Sequence, residues 1–458
     1  EHRMLLFPGP VHLLGIWMIT ALPLSLSSPS CRKDEDCSFN GACTDGGCDC
    51  FTGWTGAYCH QLDLLPASNG SGFNLLHRPP NGKPTSTWGG SVIYKNETGM
   101  YHMFASEISQ SCGIHRWTTN SFVVHAVSKG EKDGWRFEKV GDPVLPIFSH
   151  EPIVTEAPDG TLALFVTFYP NGSVADCPTC TCSDGTSASG GSSCNVECGC
   201  GVNKTMFSYF TTSKSPYGPW SPLQSLCATQ VSGFGNGTCD QANHPRLSPQ
   251  IDLNLAPVIL PNGTLLAWTR WDIWRSDDWR DPIKYEDIGQ APDFNTDPPT
   301  PWEGEDPSMW IDSRGIYHIL SHNGDRGAHY KTNASGDCGR HYYSRSGLAG
   351  TWRVAPLLPP EDLGGCAYPR INVPFADGKN YSFYRRERPH LIFGPPTKNN
   401  DGNEDGVSLR RIPIALSTSV IDSPSGPMFD DVLYNTGSSS SSSLPQRDAS
   451  YTLVQPLR

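Results

Sequence analysis

Three acids and one arginine sit in closely matched settings. Glu151 lies in Ser149-His150-Glu151-Pro152, Glu305 and Asp306 in Gly304-Glu305-Asp306-Pro307, and Arg388 in Tyr384-Arg385-Arg386-Glu387-Arg388-Pro389. Two carboxyls that face each other can divide acid and base work if one keeps its proton and the other does not. An arginine fork beside them can bind a carboxylate bidentately or neutralise one. Glu151, Asp306 and Glu305 are therefore the candidate catalytic acids. Arg386 and Arg388 fall on one face if the strand alternates regularly. Trp88, His150, Asn254 and His322 complete the candidate site as binding residues. His322 belongs to a group with His318, His329 and His341, two of which could ligate a metal. Their spacing fits no fixed ligand pattern, so no metal residue and no cofactor is assigned.

The candidate residues stand at the heads of strands. Proline suits a first strand position, because it fixes the entry and cannot donate a ladder bond. The strands come from a pattern that occurs five times: 89–104, 151–165, 256–268, 306–320 and 371–384. Each copy reads as strand, turn, strand, with Gly99, Gly160, Gly263, Gly315 or Gly378 in the turn. Those glycines offer the positive φ of a two-residue hairpin. A hairpin cannot bury its face alone, so repeated hairpins must stack. Five such units predict an all-β five-bladed β-propeller over 62–420. Trp135, Trp220 and Trp352 each follow a second glycine turn, where a large ring would cap a blade's outer edge. Trp271, Trp274, Trp279 and Trp302 read equally as a sugar-stacking rim or as a packed loop core.

The chain has 458 residues, a net charge of −12 and no basic cluster, which argues against nucleic acid as a partner. The stretch 13–26 is apolar but broken by Pro23, and reads as part of a signal peptide over 1–28 rather than a stable membrane span. A secreted, extracellular protein is expected. Eight Asn-x-Ser/Thr sequons fit that setting: Asn69, Asn96, Asn171, Asn203, Asn236, Asn262, Asn333 and Asn380. Cys177–Cys200 holds six cysteines that read as disulfides in an insert from blade two, with zinc the lesser reading. Cys112, Cys227, Cys239, Cys338 and Cys366 are odd in number. The segment 421–458 reads as a Ser-rich tail.

Two resemblances follow from these motifs. Cys31, Cys37, Cys43, Cys48, Cys50 and Cys59, ending in CDCFTGWTGAYC, resemble an EGF-like module over 30–60. The resemblance implies the pairs Cys31–Cys43, Cys37–Cys48 and Cys50–Cys59, and a small unit held by these staples as a spacer or adhesion module. The strand starts, NSFVVHAVS, GEDPSMWIDSRGIYHILSH and YRRERP resemble the five-bladed propellers of arabinanases, xylosidases and levansucrase/invertase enzymes, including glycoside hydrolase family 43. That likeness implies a glycan or polysaccharide partner and three carboxylates at strand starts, with a central ion as an added option. Here Gly89-Gly90 stands in blade one and Leu255 where the blade-three acid would fall. Two of the three acids are missing. The sequence thus supports two functions. One is a glycoside hydrolase with a non-standard carboxylate set. The other is a catalytically inert extracellular glycoprotein, lectin-like or a self-assembling coat or fibre subunit.

Overall fold

The computed structural model describes residues 30–79, 81–110, 112–168, 174, 207–226, 228–230, 254–269, 272–282, 284–290, 304–323, 338–355, 366–395, 412–422 and 449–458. The expected signal peptide, the insert cysteines Cys177–Cys200, Cys227, Cys239, Trp271, Trp302, His329, the serine run, and the sequons Asn171, Asn203, Asn236 and Asn333 lie outside these residues.

Five antiparallel sheets stand around an axis, innermost strand first. Blade one is Thr87–Lys95, Met100–Ile108, Ser121–Ser128 and Glu138–Lys139. Blade two is Ser149–Glu156, Leu162–Phe168, Phe207–Ser213 and Gln224–Ser225. Blade three runs Ala256–Ile259, Leu265–Trp268, Asp272–Ser276 and Tyr285–Gln290, with Ala228–Gln230 added in parallel at its edge. Blade four is Gly304–Ile311, Tyr317–Asn323, Cys338–Ser344 and Arg353–Ala355. In each of these four the predicted glycine turn joins the two inner strands, with φ of 66° to 87°. The turns are longer than two residues. Lys95 pairs with Met100 and Ile259 with Leu265, so the glycine closes a wider loop.

Blade five differs from the sequence expectation. The hairpin around Gly378 pairs only Val373–Pro374 with Asn380–Tyr381 and stands apart from the blades. The true blade is Phe383–Phe393, Pro413–Asp422 and Ser450–Pro456, so part of the expected tail is a blade strand. The early chain closes the ring against it: Leu64 bridges Leu457, and Phe73 bridges Thr452.

Apolar clusters fill the spaces between blades, and the candidate tryptophans largely serve them. Trp135 and Trp352 are buried, with Trp352 packed edge-on to Trp268 at 4.6 Å, and Trp220 meets Phe104 at 5.3 Å. Trp274 and Trp279 belong to the core between blades two and three. That removes both from the sugar-rim reading, since a buried ring offers no face to a ligand.

The three N-terminal disulfides pair as the EGF resemblance implies. The module is not a free spacer. Cys31, Trp54 and Leu62 share one core with Leu320, Tyr368, Leu391, Leu416 and Leu457 of blades four and five. The N–H of Gly53 donates to Arg458 O, and that of Leu62 to Ala367 O, each at 2.8 Å. Among the late cysteines, Cys338 bonds Cys366 and Cys112 is also in a disulfide. Asn69, Asn96, Asn262 and Asn380 are all exposed.

Candidate active site

All five inner strands enter the axial mouth past a left-handed residue, four of them with a bulge. The innermost strands of blades one, two, four and five break register there, between Trp88 and Ser91, opposite Phe165 and Thr167, between Glu305 and Ser308, and between Glu387 and His390. A bulge re-aims one side chain by placing it in the left-handed region. The residues so placed are Gly89 (φ 74°), Glu151 (57°), Asn254 (64°), Asp306 (55°) and Arg388 (55°). Five non-adjacent residues therefore hold equivalent positions. The proline after Glu151, Asp306 and Arg388 marks this kink in the sequence.

Four of the five meet. Arg388 Nη1 lies 2.7 Å from Asp306 Oδ1, 2.9 Å from Asn254 Oδ1 and 3.2 Å from Glu151 Oε2. The two carboxyls share one nitrogen, so their nearest oxygens cannot be farther apart than those two contacts laid end to end. That upper bound lies below the roughly 9.5 Å of the widest carboxyl pairs that act on glycosidic bonds. His322 Nδ1 is 3.2 Å from Asp306 Oδ2, while its Nε2 is 3.8 Å from Glu305 and 4.0 Å from Glu387. His150 Nε2 stands 3.7 Å from Glu151, its ring held by Ser121 Oγ at 2.7 Å. The backbone N–H of Glu151 donates to Ser106 Oγ at 3.0 Å.

Burial and charge drive the two carboxyls apart. Burial is the main force on Glu151 and pushes it up to about 8 against the pull of Arg388. Burial would raise Asp306 too, but Arg388 and His322 outweigh it and hold its carboxyl well below the usual range. The pair is thus driven in opposite directions, Glu151 toward its protonated form and Asp306 toward its ionised form. Burial opposes the charge on His322, yet Glu387 and Asp306 overcome it and lift the imidazole to about 9. Burial and the nearby Arg388 keep His150 neutral.

Asp306, His322 and Glu387 bring ligand atoms within 4.8 Å of one another. A proton on His322 and the guanidinium of Arg388 already supply the positive charge these acids require. A protonated imidazole has no lone pair for a metal. A proton and an ion would compete for His322, and no step is routed through a metal.

Several sequence expectations change here. Arg386 and Arg388 do not share a face. The bulge separates them, and Arg386 bonds Thr418, Pro369 O and Gln455 inside blade five. Trp88 is spent in an apolar cluster with Ile108, Cys112, Ile114 and Ile421. Leu255 is not the blade-three site position. It packs into the core of blades two and three, and the equivalent residue is Asn254. His318 and His341 are removed from His322: they bond each other at 2.9 Å, beneath the EGF-like module. Glu387 and Arg385, 3.7 Å apart, join the mouth although neither was among the candidate site residues. Their signal was present in the charged run before Pro389.

The fold and its mouth define the class: a five-bladed β-propeller with acids at its axial strand starts, led by an EGF-like module. A family model described as a teneurin-like EGF domain matches residues 34–62. Among solved structures, the chain is similar to an alpha-L-arabinofuranosidase from Podospora anserina, crystallised in complex with cellotriose. The two are 12% identical, with 86% of this chain and 98% of that one covered at a TM-score of 0.45. A GH43 protein from Bacillus licheniformis is 12% identical, covering 81% and 53%, TM-score 0.41. The chain therefore spans about half of that protein's length. A family 117 glycoside hydrolase from Zobellia galactanivorans is 10% identical, covering 84% and 87%, TM-score 0.39. No curated protein matches the chain. Among the described residues no helix is long and apolar enough to cross a membrane.

Proposed function

We propose that the axial mouth acts on a glycan, with Glu151 as the acid and Asp306 as the ionised partner in cleavage of a glycosidic bond. One observation carries this reading. A single guanidinium nitrogen touches both carboxyls, while their proton affinities move in opposite directions. Such a split assigns acid and base roles within a carboxyl pair. Glu151 would protonate the leaving oxygen. Asp306 would stabilise positive charge at the sugar carbon or direct its attacker. Glu305, the most exposed of the mouth acids at 31%, and His322 would contact sugar hydroxyls at the rim. The disulfides and exposed sequons support a secreted glycoprotein.

A second reading has its own support. Gly89 and Asn254 stand where further acids would be, and Asp306 is already engaged by Arg388 and His322. On this reading the protein binds glycan without cleaving it.

Release of reducing ends from a panel of arabinan, xylan and galactan separates the two. Hydrolysis abolished by Asp306→Asn and by Glu151→Gln, with glycan binding kept, supports the first reading. Saturable binding without turnover by the unmodified protein moves the assignment to the inert binder. Neither binding nor turnover rejects both.

A further inference from the structure

The other end of the axis holds a second feature that the mouth chemistry does not use. The inner strands diverge there around a cavity of about 570 Å³. Its wall is made by Ile93, Ile153, Ile259, Met309 and Ile311, one or more from each of blades one to four, and each is only partly buried. Trp310 and Phe393 add aromatic faces. Partly exposed aliphatic residues gathered in a concave place are unusual in a protein whose cores are otherwise closed. The size falls within the range of about 300–1,000 Å³ typical of small-molecule sites.

Polar groups are few and of one kind. The floor is His390, which is half-buried and tied on both sides. Its Nδ1 lies 3.2 Å from Ser308 Oγ, and its Nε2 lies 3.4 Å from Val92 O and 3.5 Å from Ser91 Oγ. A carbonyl can only accept, so Nε2 carries the proton and Nδ1 accepts from the Ser308 hydroxyl. Burial lowers the histidine to about 4, so the floor is neutral. The acids at the rim are already paired: Glu156 with Lys95 at 2.9 Å, and Asp312 with Arg314 and His318. A cation finds no free acid there, and an anion meets two carboxylates and no free base.

We propose that this far cavity is a second ligand site, for a neutral molecule with an apolar body and a single hydroxyl at its inner end. The body would lie against the isoleucines and Trp310, and the hydroxyl would meet Ser308 beside His390. The site is separate from the Glu151–Asp306 mouth and does not rest on the proposed hydrolysis.

The test uses the full chain, the neutral dye Nile red and two competitors, 1-octanol and octane. Nile red should bind saturably at one site per chain, and 1-octanol should displace it. Ile153→Trp and Ile311→Trp fill the cavity from different blades, and each should weaken dye binding at least tenfold with near-ultraviolet circular dichroism unchanged. Ser308→Ala should weaken 1-octanol several-fold yet leave octane competition unaltered. Non-saturable dye uptake would overturn the proposal. Equal binding by the unmodified protein and a folded filling variant would do the same. If both filling variants fail to fold, the Ser308→Ala comparison decides: equal losses for octanol and octane, or none for either, reject the hydroxyl-led site.

Discussion

Arg388→Met removes the cation that Asp306 and Glu151 share. The arginine and aspartate side chains are only 6% and 5% exposed, so water cannot replace the lost partner. Breaking a buried pair from one side costs about 3–5 kcal/mol, because the other charge is left uncompensated. The size of the loss should depend on pH. In the unmodified protein the folded Asp306 carboxyl is depressed, so its contribution is present above the ordinary value of about 3.9 and is lost as pH falls further. Without Arg388, only His322 still opposes burial, so the folded carboxyl rises. The variant should then gain stability relative to the unmodified protein as pH drops from 8 to 5. Urea unfolding at pH 8, 6.5 and 5 measures this directly. The double variant Arg388→Met/Asp306→Asn should recover much of the loss at pH 8, since no unpaired charge remains from that pair. A loss below about 1 kcal/mol at pH 8, the range of exposed pairs, would refute the account. A gap that does not narrow toward pH 5 would refute it as well.

Other expectations follow from the same geometry. Glu151 is raised in the folded state, so it opposes folding increasingly between about pH 4.3 and 8. Glu151→Gln should therefore gain in melting temperature over the unmodified protein as pH rises through that window, and a pH-independent difference would contradict this. Gly89→Asp should fold with a loss of roughly 1–3 kcal/mol at most for the left-handed backbone, because an added Cβ meets only Pro152 Cδ at 4.0 Å. Gly90→Ala should lose more, since its Cβ would stand 2.7 Å from Thr452 Cγ2, and comparing the two melting curves checks the order. Burial holds His341 neutral at the EGF seam, where its Nδ1 meets Asn40 Nδ2 at 3.2 Å. That stability is present above about pH 6.5 and is lost below it, as a buried neutral histidine must charge. Protection of the amides of Gly53 and Leu62, relative to their intrinsic exchange at each pH, should fall from pH 7.5 to 5 more than in Leu162–Phe168 of blade two, and equal responses would exclude the seam as the acid-sensitive element.

The sequence made the blades and most of the mouth legible through a local signal. Glycine turns with flanking apolar alternation gave blades one to four, because turn chemistry and strand burial agree there. The same signal misled at Gly378, where a real hairpin forms but no neighbouring sheet takes it up. Prolines after Glu151, Asp306 and Arg388 marked the kinks correctly. Alternation failed at Arg386 because a bulge resets it, and a bulge is a property of the partner strand as well as its own. Asn254 was visible as a polar strand start, whereas its equivalence to the acids rests on a φ that no composition reveals. Trp88 shows the opposite limit. Its position by the axis was apparent, but its use as packing depended on Ile114 and Ile421, which come from elsewhere in the chain.

The seat of the EGF-like module is built from strands far later in the chain. Leu62 and Trp54 rest on Leu391, Leu416 and Leu457, and Gly53 bonds Arg458. Translation at about 5–20 residues per second leaves tens of seconds between the module and its seat. During that interval the module's apolar face has nothing to cover it, and its three disulfides must hold it alone. Loop-closure entropy also makes such distant contacts slow to form. The seam is therefore the last thing assembled, and a nascent chain released before Ser450–Pro456 would display both an open ring and a bare apolar patch. Quality control could read either as one signal of incompleteness.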